Sequence, residues 1–212
     1  MFTLEEKLTF INIDQKYLEK LHDACSEVYY KPSGYENKPY IGILINKNDR
    51  KYVIPLSSAK EKHKRWKNVN KECYLIYEIA DKSCMGDKDI WTDRDDGKVK
   101  HILSAMDIKK MIPVIDSVYH RVNINLEESD TDEIKKYKNL LNKEYSFCVK
   151  IIDEVIEKVN KLYGKQMDTG KISKFCCDFK KLEEVADKYK NLNWHIRGER
   201  NIHNKQNLVD KK

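Results

Sequence analysis

Tyr40-Ile41-Gly42-Ile43-Leu44-Ile45 is followed by Asn46-Lys47-Asn48-Asp49-Arg50 and then by Lys51-Tyr52-Val53-Ile54-Pro55-Leu56. The first run is almost wholly apolar and is bounded by turn residues, the pattern of a buried strand. The five polar residues after it form a hairpin loop, and the third run returns as the partner strand. Proline has no amide hydrogen to give to a ladder, so the second strand is expected to end or bulge at Pro55.

Toward the N-terminus, Leu8 to Ile13 reads as another strand. Asp14 then caps a helix over roughly residues 14–30, with Tyr17, Leu18, Leu21, Cys25 and Val28 at helical spacing. Lys31-Pro32-Ser33-Gly34 breaks that helix. Toward the C-terminus, Cys73 to Ile79 and Val99 to Leu103 are further strands, with a turn at Asp95-Asp96-Gly97. A helical turn near Asp107–Lys110 leads into Met111-Ile112-Pro113-Val114-Ile115. Short strands with helices between them imply a small, curved antiparallel barrel. The pattern then changes. Apolar residues from Ile134 to Leu162 recur in steps of three and four, predicting a helix of about 30 residues. It opens with capping-box spacing from Asp130 to Glu133 and is expected to stop at Gly164. A last helix begins near Asp178, with Leu182, Val185 and Tyr189 on its apolar side. The expected fold class is therefore α+β, a barrel elaborated with long helices. The expected organisation is a single domain over residues 1–212, with a barrel core at about 8–125, a helical extension at about 130–190 and a polar basic tail at 195–212.

Of the 212 residues, 40% are hydrophobic and 36% charged, and 13 Tyr, 5 Phe and 3 Trp supply the aromatic surface that disordered chains lack. The net charge of +6 suits an anionic partner, nucleic acid being the commonest. The N-terminus shows no basic region followed by an apolar run, and no stretch reaches the ~20 apolar residues that span a bilayer, so a cytoplasmic protein without a membrane partner is expected. The six cysteines are scattered, apart from Cys176-Cys177, and no C-x-x-C occurs. That spacing fits reduced thiols acting as small hydrophobes rather than a zinc site. No nucleotide-binding fingerprint is present, and no cofactor is expected. The acidic run Met85 to Gly97 lacks the spacing of a calcium loop and reads as a solvated loop.

The segment most able to carry chemistry is Pro55 to Lys67. Ser57, Ser58 and Lys60 follow directly on the apolar strand, and Lys60, Lys62, Lys64, Arg65 and Lys67 surround His63 and Trp66. Cations interleaved with an aromatic suit single-stranded nucleic acid, whose phosphates take the charge and whose bases stack. On charge alone, a solvated lysine loop explains the same residues. RNA carries its own nucleophile, the 2′-hydroxyl, so a protein that cuts it without a metal must align that attack, neutralise the phosphorane and protonate the leaving oxygen. A serine hydroxyl and a lysine at a strand exit suit this work. No G-x-S-x-G elbow surrounds Ser58, and the S-x-x-K spacing present here runs from Ser57 to Lys60 rather than from Ser58, which argues against Ser58 as a hydrolase-type nucleophile. Lys38, before the first buried strand, is expected at the same end of the hairpin as Ser58. Among the histidines, His63 and His120 are candidate acid–base groups.

Four elements in order resemble the ToxN/AbiQ family of type III toxin–antitoxin toxins. Lys38-Pro39-Tyr40-Ile41-Gly42-Ile43 resembles its K-x-[FY]-I-G-I strand, and Lys51 to Lys60 its K-Y-x-x-P-L-[ST]-S-x-K element. Met111-Ile112-Pro113-Val114 resembles M-I-P-[VI], and Cys177 to Glu184 the C-terminal C-x-F-x-x-L-E-E helix. Within the family the chain looks closest to the CptN branch. The resemblance implies a Kid/MazF-like barrel with added helices, and a metal-independent endoribonuclease acting on cellular and phage RNA. It implies cleavage at adenosine-rich sites to a 2′,3′-cyclic phosphate and a 5′-hydroxyl. It further implies processing of a repeat-containing RNA precursor into small pseudoknots, which inhibit the toxin and join its copies into a closed protein–RNA assembly. By position, Ser58 matches the family's active-site serine, Ser57 the residue before it, Lys60 the motif lysine, and Lys38 the lysine before the strand; Tyr35 matches an upstream tyrosine with one residue gapped. Those five are the expected catalytic residues. Lys62, His63, Lys64, Arg65, Trp66, Lys67 and Tyr40 are the expected RNA contacts, with Trp66 or Tyr40 stacking on a base. Ala59 stands where the family has proline, the Lys62–Lys67 cluster is richer than usual, and the acidic segment between Ser83 and Gly97 is an insertion. A non-catalytic RNA- or DNA-binding regulator shares the charge but has no need of Ser58, and a small-molecule transferase lacks any cofactor signature.

Overall fold

The computed structural model describes residues 1–31, 39–46 and 48–191. Its centre is the expected hairpin, β3 (Tyr40–Ile45) and β4 (Lys51–Ser58), after the short β1 (Thr3–Leu4) and β2 (Phe10–Ile13). The hairpin loop is held by Asn46, whose side-chain oxygen accepts from the amides of Asn48 at 2.9 Å and Arg50 at 3.1 Å. In β3 the register shifts between Ile41 and Leu44, and Gly42 there has φ +74°, a conformation that glycine adopts without a Cβ penalty.

Of the two expectations for Pro55, an end or a bulge, the end does not occur: β4 runs on to Ser58. Lys51 to Val53 pair with β9 (Ile112–Val114), Leu56 to Ser58 pair with β8 (Val99–Asp107), and Pro55 falls between, opposite Tyr40 of β3. The proline sits where the strand exchanges one neighbour for another. A strand that switches partners in this way turns a corner between two parts of a sheet, and it carries Ser57 and Ser58 out of the core.

The remaining strands are β5 (Val69–Asn70), β6 (Cys73–Ala80), β7 (Ile90–Asp93) and β10 (Tyr119–Arg121). The sheet order is β10-β2-β3-β4-β8-β6-β5, with β1 on β3, β7 on β8 and β9 on β4. Every pairing is antiparallel. Among the described residues the two ends, β10 and β5, do not pair with each other. The acidic stretch read as a solvated loop contains a strand: Ile90 to Asp93 pair with Ile102 to Val99. Only Ile90 and Trp91 of its four residues are apolar, so alternation was too weak to reveal it.

Helix α1 (Gln15–Ala24) begins at Asp14, whose carboxylate accepts from the amides of Lys16 and Tyr17, a cap worth about 1 kcal/mol. It ends six residues before the expected limit. Cys25 is extended, yet Val28 still reaches the core through a turn in which its amide donates to the Cys25 carbonyl and its own carbonyl meets His22 Nδ1 at 2.8 Å. Apolar spacing alone does not separate such a turn from one more helical turn.

Helix α2 (Asp132–Thr169) has 38 residues and runs through Gly164 to a left-handed cap at Gly170, φ +66°. Its N-cap is Thr131 rather than Asp130, which instead pairs with Lys138 at 2.8 Å. Leu141, Cys148, Val155 and Val159 are buried beneath it, while Ile134 and Tyr137, at the start of the predicted stripe, are 43% exposed. Helix α3 (179–191) is tied to both α2 and the hairpin. Buried Gln166 of α2 accepts from the Phe179 amide at 2.7 Å and donates to the Cys177 carbonyl at 3.0 Å. Glu183 accepts from Tyr52 at 2.9 Å and Tyr163 at 2.7 Å, and Asp187 takes a two-armed contact from Arg50. One hydrophobic cluster runs from Phe2 through both long helices to Ala186. Among the described residues, no helix is long and apolar enough to cross a membrane.

Candidate active site and nucleic-acid interface

At the exit of β4, Ser58 is exposed and Ser57 half-buried, its hydroxyl 3.5 Å from the Ala105 carbonyl. Ser58 lies directly across from Ser104 of β8. The Ser104 side chain is fully buried, and its hydroxyl has no hydrogen-bond partner among the described residues.

After Ala59 the chain enters a short 3-10 turn, Glu61–Arg65, with Lys60 at its N-terminal boundary. His63 is the residue that fixes it. Its Nδ1 accepts from the Lys60 amide at 3.1 Å, while its own amide donates to the Lys60 carbonyl at 2.8 Å. The imidazole therefore pins the backbone of Lys60 and leaves the ammonium exposed. Burial, with Lys62 and Lys60 nearby, pushes the imidazole below its ordinary value of 6.5 and favours the neutral ring that this acceptor role needs.

The His63 ring also packs on Trp66, centroids 4.6 Å apart. Trp66 is half-buried against a small cluster of Leu75, Ile102 and Ala105, and Lys62 Nζ stands 5.3 Å from its ring centroid. Of the cations, Lys60, Lys62, Arg65 and Lys67 are exposed, and half-buried Lys64 pairs with Glu61 at 3.0 Å.

These residues border a cleft of about 420 Å³ lined by Ser57, Ser58, Lys60, Lys62 and His63, with Tyr29, Tyr30, Lys31, Tyr40, Pro55 and Leu56 completing it. Two expectations need correction. Tyr40 is 2% exposed, with its hydroxyl directed at the Tyr29 carbonyl, so its ring is part of the core and is not free to stack on a base. His63 is likewise 2% exposed and contributes as the buried pin of the loop rather than as a surface contact. Lys38 and Tyr35, the two expected site residues on the other chain segment, lie outside the described residues, as do the Pro32–Gly34 break and the polar tail.

Sequence reading missed Tyr29 and Tyr30. Both were assigned to the end of an over-long helix, and they line the cleft because α1 stops early. It also missed Ser104, for which no motif exists; only its register opposite Ser58 singles it out.

The comparisons with known proteins bear on the chain as a whole. The family described as toxin ToxN, type III toxin-antitoxin system, matches residues 9–187. Endoribonuclease AbiQ of Lactococcus lactis subsp. lactis is 31% identical over 195 residues, covering 88% of this chain and 91% of AbiQ. Endoribonuclease ToxN of Bacillus thuringiensis subsp. kurstaki is 29% identical over 195 residues, covering 89% of this chain and 87% of that protein. A solved structure from work on selective toxin inhibition by a non-coding RNA pseudoknot in type III systems superposes with a TM-score of 0.64 at 27% identity, over 87% of this chain and 99% of the other. A solved structure of AbiQ, described as a lactococcal anti-phage endoribonuclease, shares the fold with a TM-score of 0.62 at 24% identity, over 88% of this chain and 99% of the other. With a family match over most of its length and β4 delivering Ser58 and Lys60 to one open cleft, the chain belongs to the ToxN family of type III toxin–antitoxin toxins.

Proposed function

We propose that this ToxN-family endoribonuclease cuts RNA at Ser58 by in-line attack of the substrate's own 2′-hydroxyl, leaving a 2′,3′-cyclic phosphate and a 5′-hydroxyl. The observation that carries the reading is the pairing of an exposed serine with an exposed lysine on one cleft, the lysine's backbone being pinned by a buried histidine. In this scheme the 2′-hydroxyl gives up its proton as its oxygen bonds to phosphorus, the bond from phosphorus to the 5′-oxygen breaks, that oxygen takes up a proton to become the 5′-hydroxyl, and no protein nucleophile is consumed. Ser58, helped by Ser57, positions the scissile phosphate by hydrogen bonding. Lys60 stabilises the charge that builds on the phosphorane, where a fixed cation is most effective. Lys38 and Tyr35 join them by the resemblance alone. Lys62, Arg65 and Lys67 track the phosphates, and the exposed part of Trp66 offers a stacking face.

Inhibition by a small pseudoknot RNA, processed by the toxin itself and joining several copies into a closed assembly, fits the same basic cleft. Protection against phage and a cytoplasmic location belong with that reading. We take the chain as one domain, because a single core joins sheet and helices, and we read the corner at β4 as the seam of a Kid/MazF-type barrel.

The direct test of the chemistry is a short RNA with one 2′-deoxynucleotide placed 5′ to the scissile phosphate. The expected outcome is no cleavage at that step, with normal cleavage of the all-ribose control. Cleavage of the deoxy substrate at an unchanged rate would rule out 2′-hydroxyl attack.

A further inference from the structure

Ser58 lines a second cleft as well as the first, and among the described residues it is the one residue the two share. The second cleft, about 480 Å³, lies between α2, β8 and the start of β7, and its size suits a small ligand. Helical periodicity makes one of its walls. Lys136, Asn139, Leu140 and Lys143 are spaced i, i+3, i+4 and i+7, so they share one face of α2. The other walls come from Lys88, Asp89 and Ile90 of the acidic insertion, and from His101 to Leu103 on β8.

The lining divides by chemistry. Half-buried Ile90 and Leu140 offer an apolar surface for the flat face of a base, and the Asn139 amide has a donor and an acceptor for a base edge. Lys88 and Lys136 are exposed, and neither is in an ion pair among the described residues. Lys143 is held by Glu78 at 2.7 Å, and Asp89 lies 3.6 Å from the His101 ring, so Lys88 and Lys136 are the cations left to meet a phosphate.

A bound single strand does not end at the bond being cut. If the scissile phosphate rests at Ser58, one flank occupies the Lys60 cleft and the other must cross β8. We infer that the second cleft is a nucleotide subsite for that other flank. The base lies on the apolar wall, and its phosphate is met by Lys88 and Lys136. This rests on the RNase reading above and deepens it, since it gives the insertion a role: Lys88 and Ile90, absent from the family pattern, hold a nucleotide on one side of the cut whose base edge Asn139 meets.

The test uses the purified full-length toxin and RNAs cut at one fixed bond. One RNA extends on both sides of the bond, and two others are truncated on one flank each. A Lys88→Ala/Lys136→Ala variant changes only exposed side chains. The expected result is a roughly 10-fold loss in kcat/KM on the full RNA, corresponding to two lost charge-assisted contacts. That loss should vanish when one particular flank is removed and persist when the other is removed. Asn139→Ala should change base preference only on the flank that matters. An equal loss on all three RNAs, or no loss on any, would overturn the subsite. If the unmodified protein cuts none of the RNAs, the RNase reading itself fails, which is a separate result.

Discussion

His63 couples the geometry of the Lys60 loop to the state of one imidazole. Its Nδ1 must be unprotonated to accept from the Lys60 amide, and its surroundings hold its pKa below 6.5. The unfolded chain therefore binds the proton more readily, and this contribution to stability is fully present above pH 6.5 and declines as pH falls below it. Cleavage and thermal midpoint are both expected to drop on that acid side in the unmodified protein. In His63→Asn, whose side-chain oxygen can accept the same bond, the acid-side drop should be smaller. Parallel pH profiles of the two proteins would expose the prediction as wrong. Ser104 predicts the opposite kind of outcome. A fully buried hydroxyl with no partner among the described residues carries a desolvation cost and no bond to offset it. Ser104→Ala should leave thermal unfolding unchanged or shift it upward. If that variant unfolds at the ordinary temperature but cuts more slowly, its position opposite Ser58 is the reason to look at substrate positioning.

At the scale of elements, α2 carries two contrasting positions. Gly164 lies in the helix interior, and a Cβ placed on it would meet nothing within 4 Å. Gly164→Ala should stabilise the protein by about 0.5–1 kcal/mol. Gln166, two residues on, serves both the Phe179 amide and the Cys177 carbonyl in a buried setting. Gln166→Ala leaves both unpaired and should cost about 1–3 kcal/mol. Denaturant midpoints for the two variants should move in opposite directions. The elements also show what was legible beforehand. Strands such as Tyr40–Ile45 and Cys73–Ala80 were readable because burial forces an apolar run. Gly164 misled because tertiary packing carries a helix past a residue of poor propensity, and the true stop, Gly170, is marked only by its left-handed backbone. The short β1 and β7 were hidden, since two to four residues at a sheet margin need no strong pattern. In the site, Ser57, Ser58 and Lys60 could be named from the strand exit. The early end of α1, which brings Tyr29 and Tyr30 to the cleft, is a matter of tertiary packing.

For the whole molecule, the net charge of +6 matters through its placement. Exposed Lys60 and Lys62 line one cleft and exposed Arg65 and Lys67 follow on the same loop, with Lys88 and Lys136 at the neighbouring cleft. RNA binding should weaken steeply with salt as counterions are released. Lys62→Ala and Lys67→Ala should each flatten the slope of log affinity against log salt by roughly 1. A slope that ignores both changes would place the RNA elsewhere.

The measurement that bears most directly on the central claim is end-group analysis of RNA cut in EDTA by the unmodified protein and by Ser58→Ala. The expected result is fragments ending in 2′,3′-cyclic phosphate from the unmodified protein alone, with RNA affinity kept in the variant. Equal cutting by both proteins, or products with a 3′-hydroxyl, would contradict cleavage at Ser58 by the substrate's own 2′-oxygen.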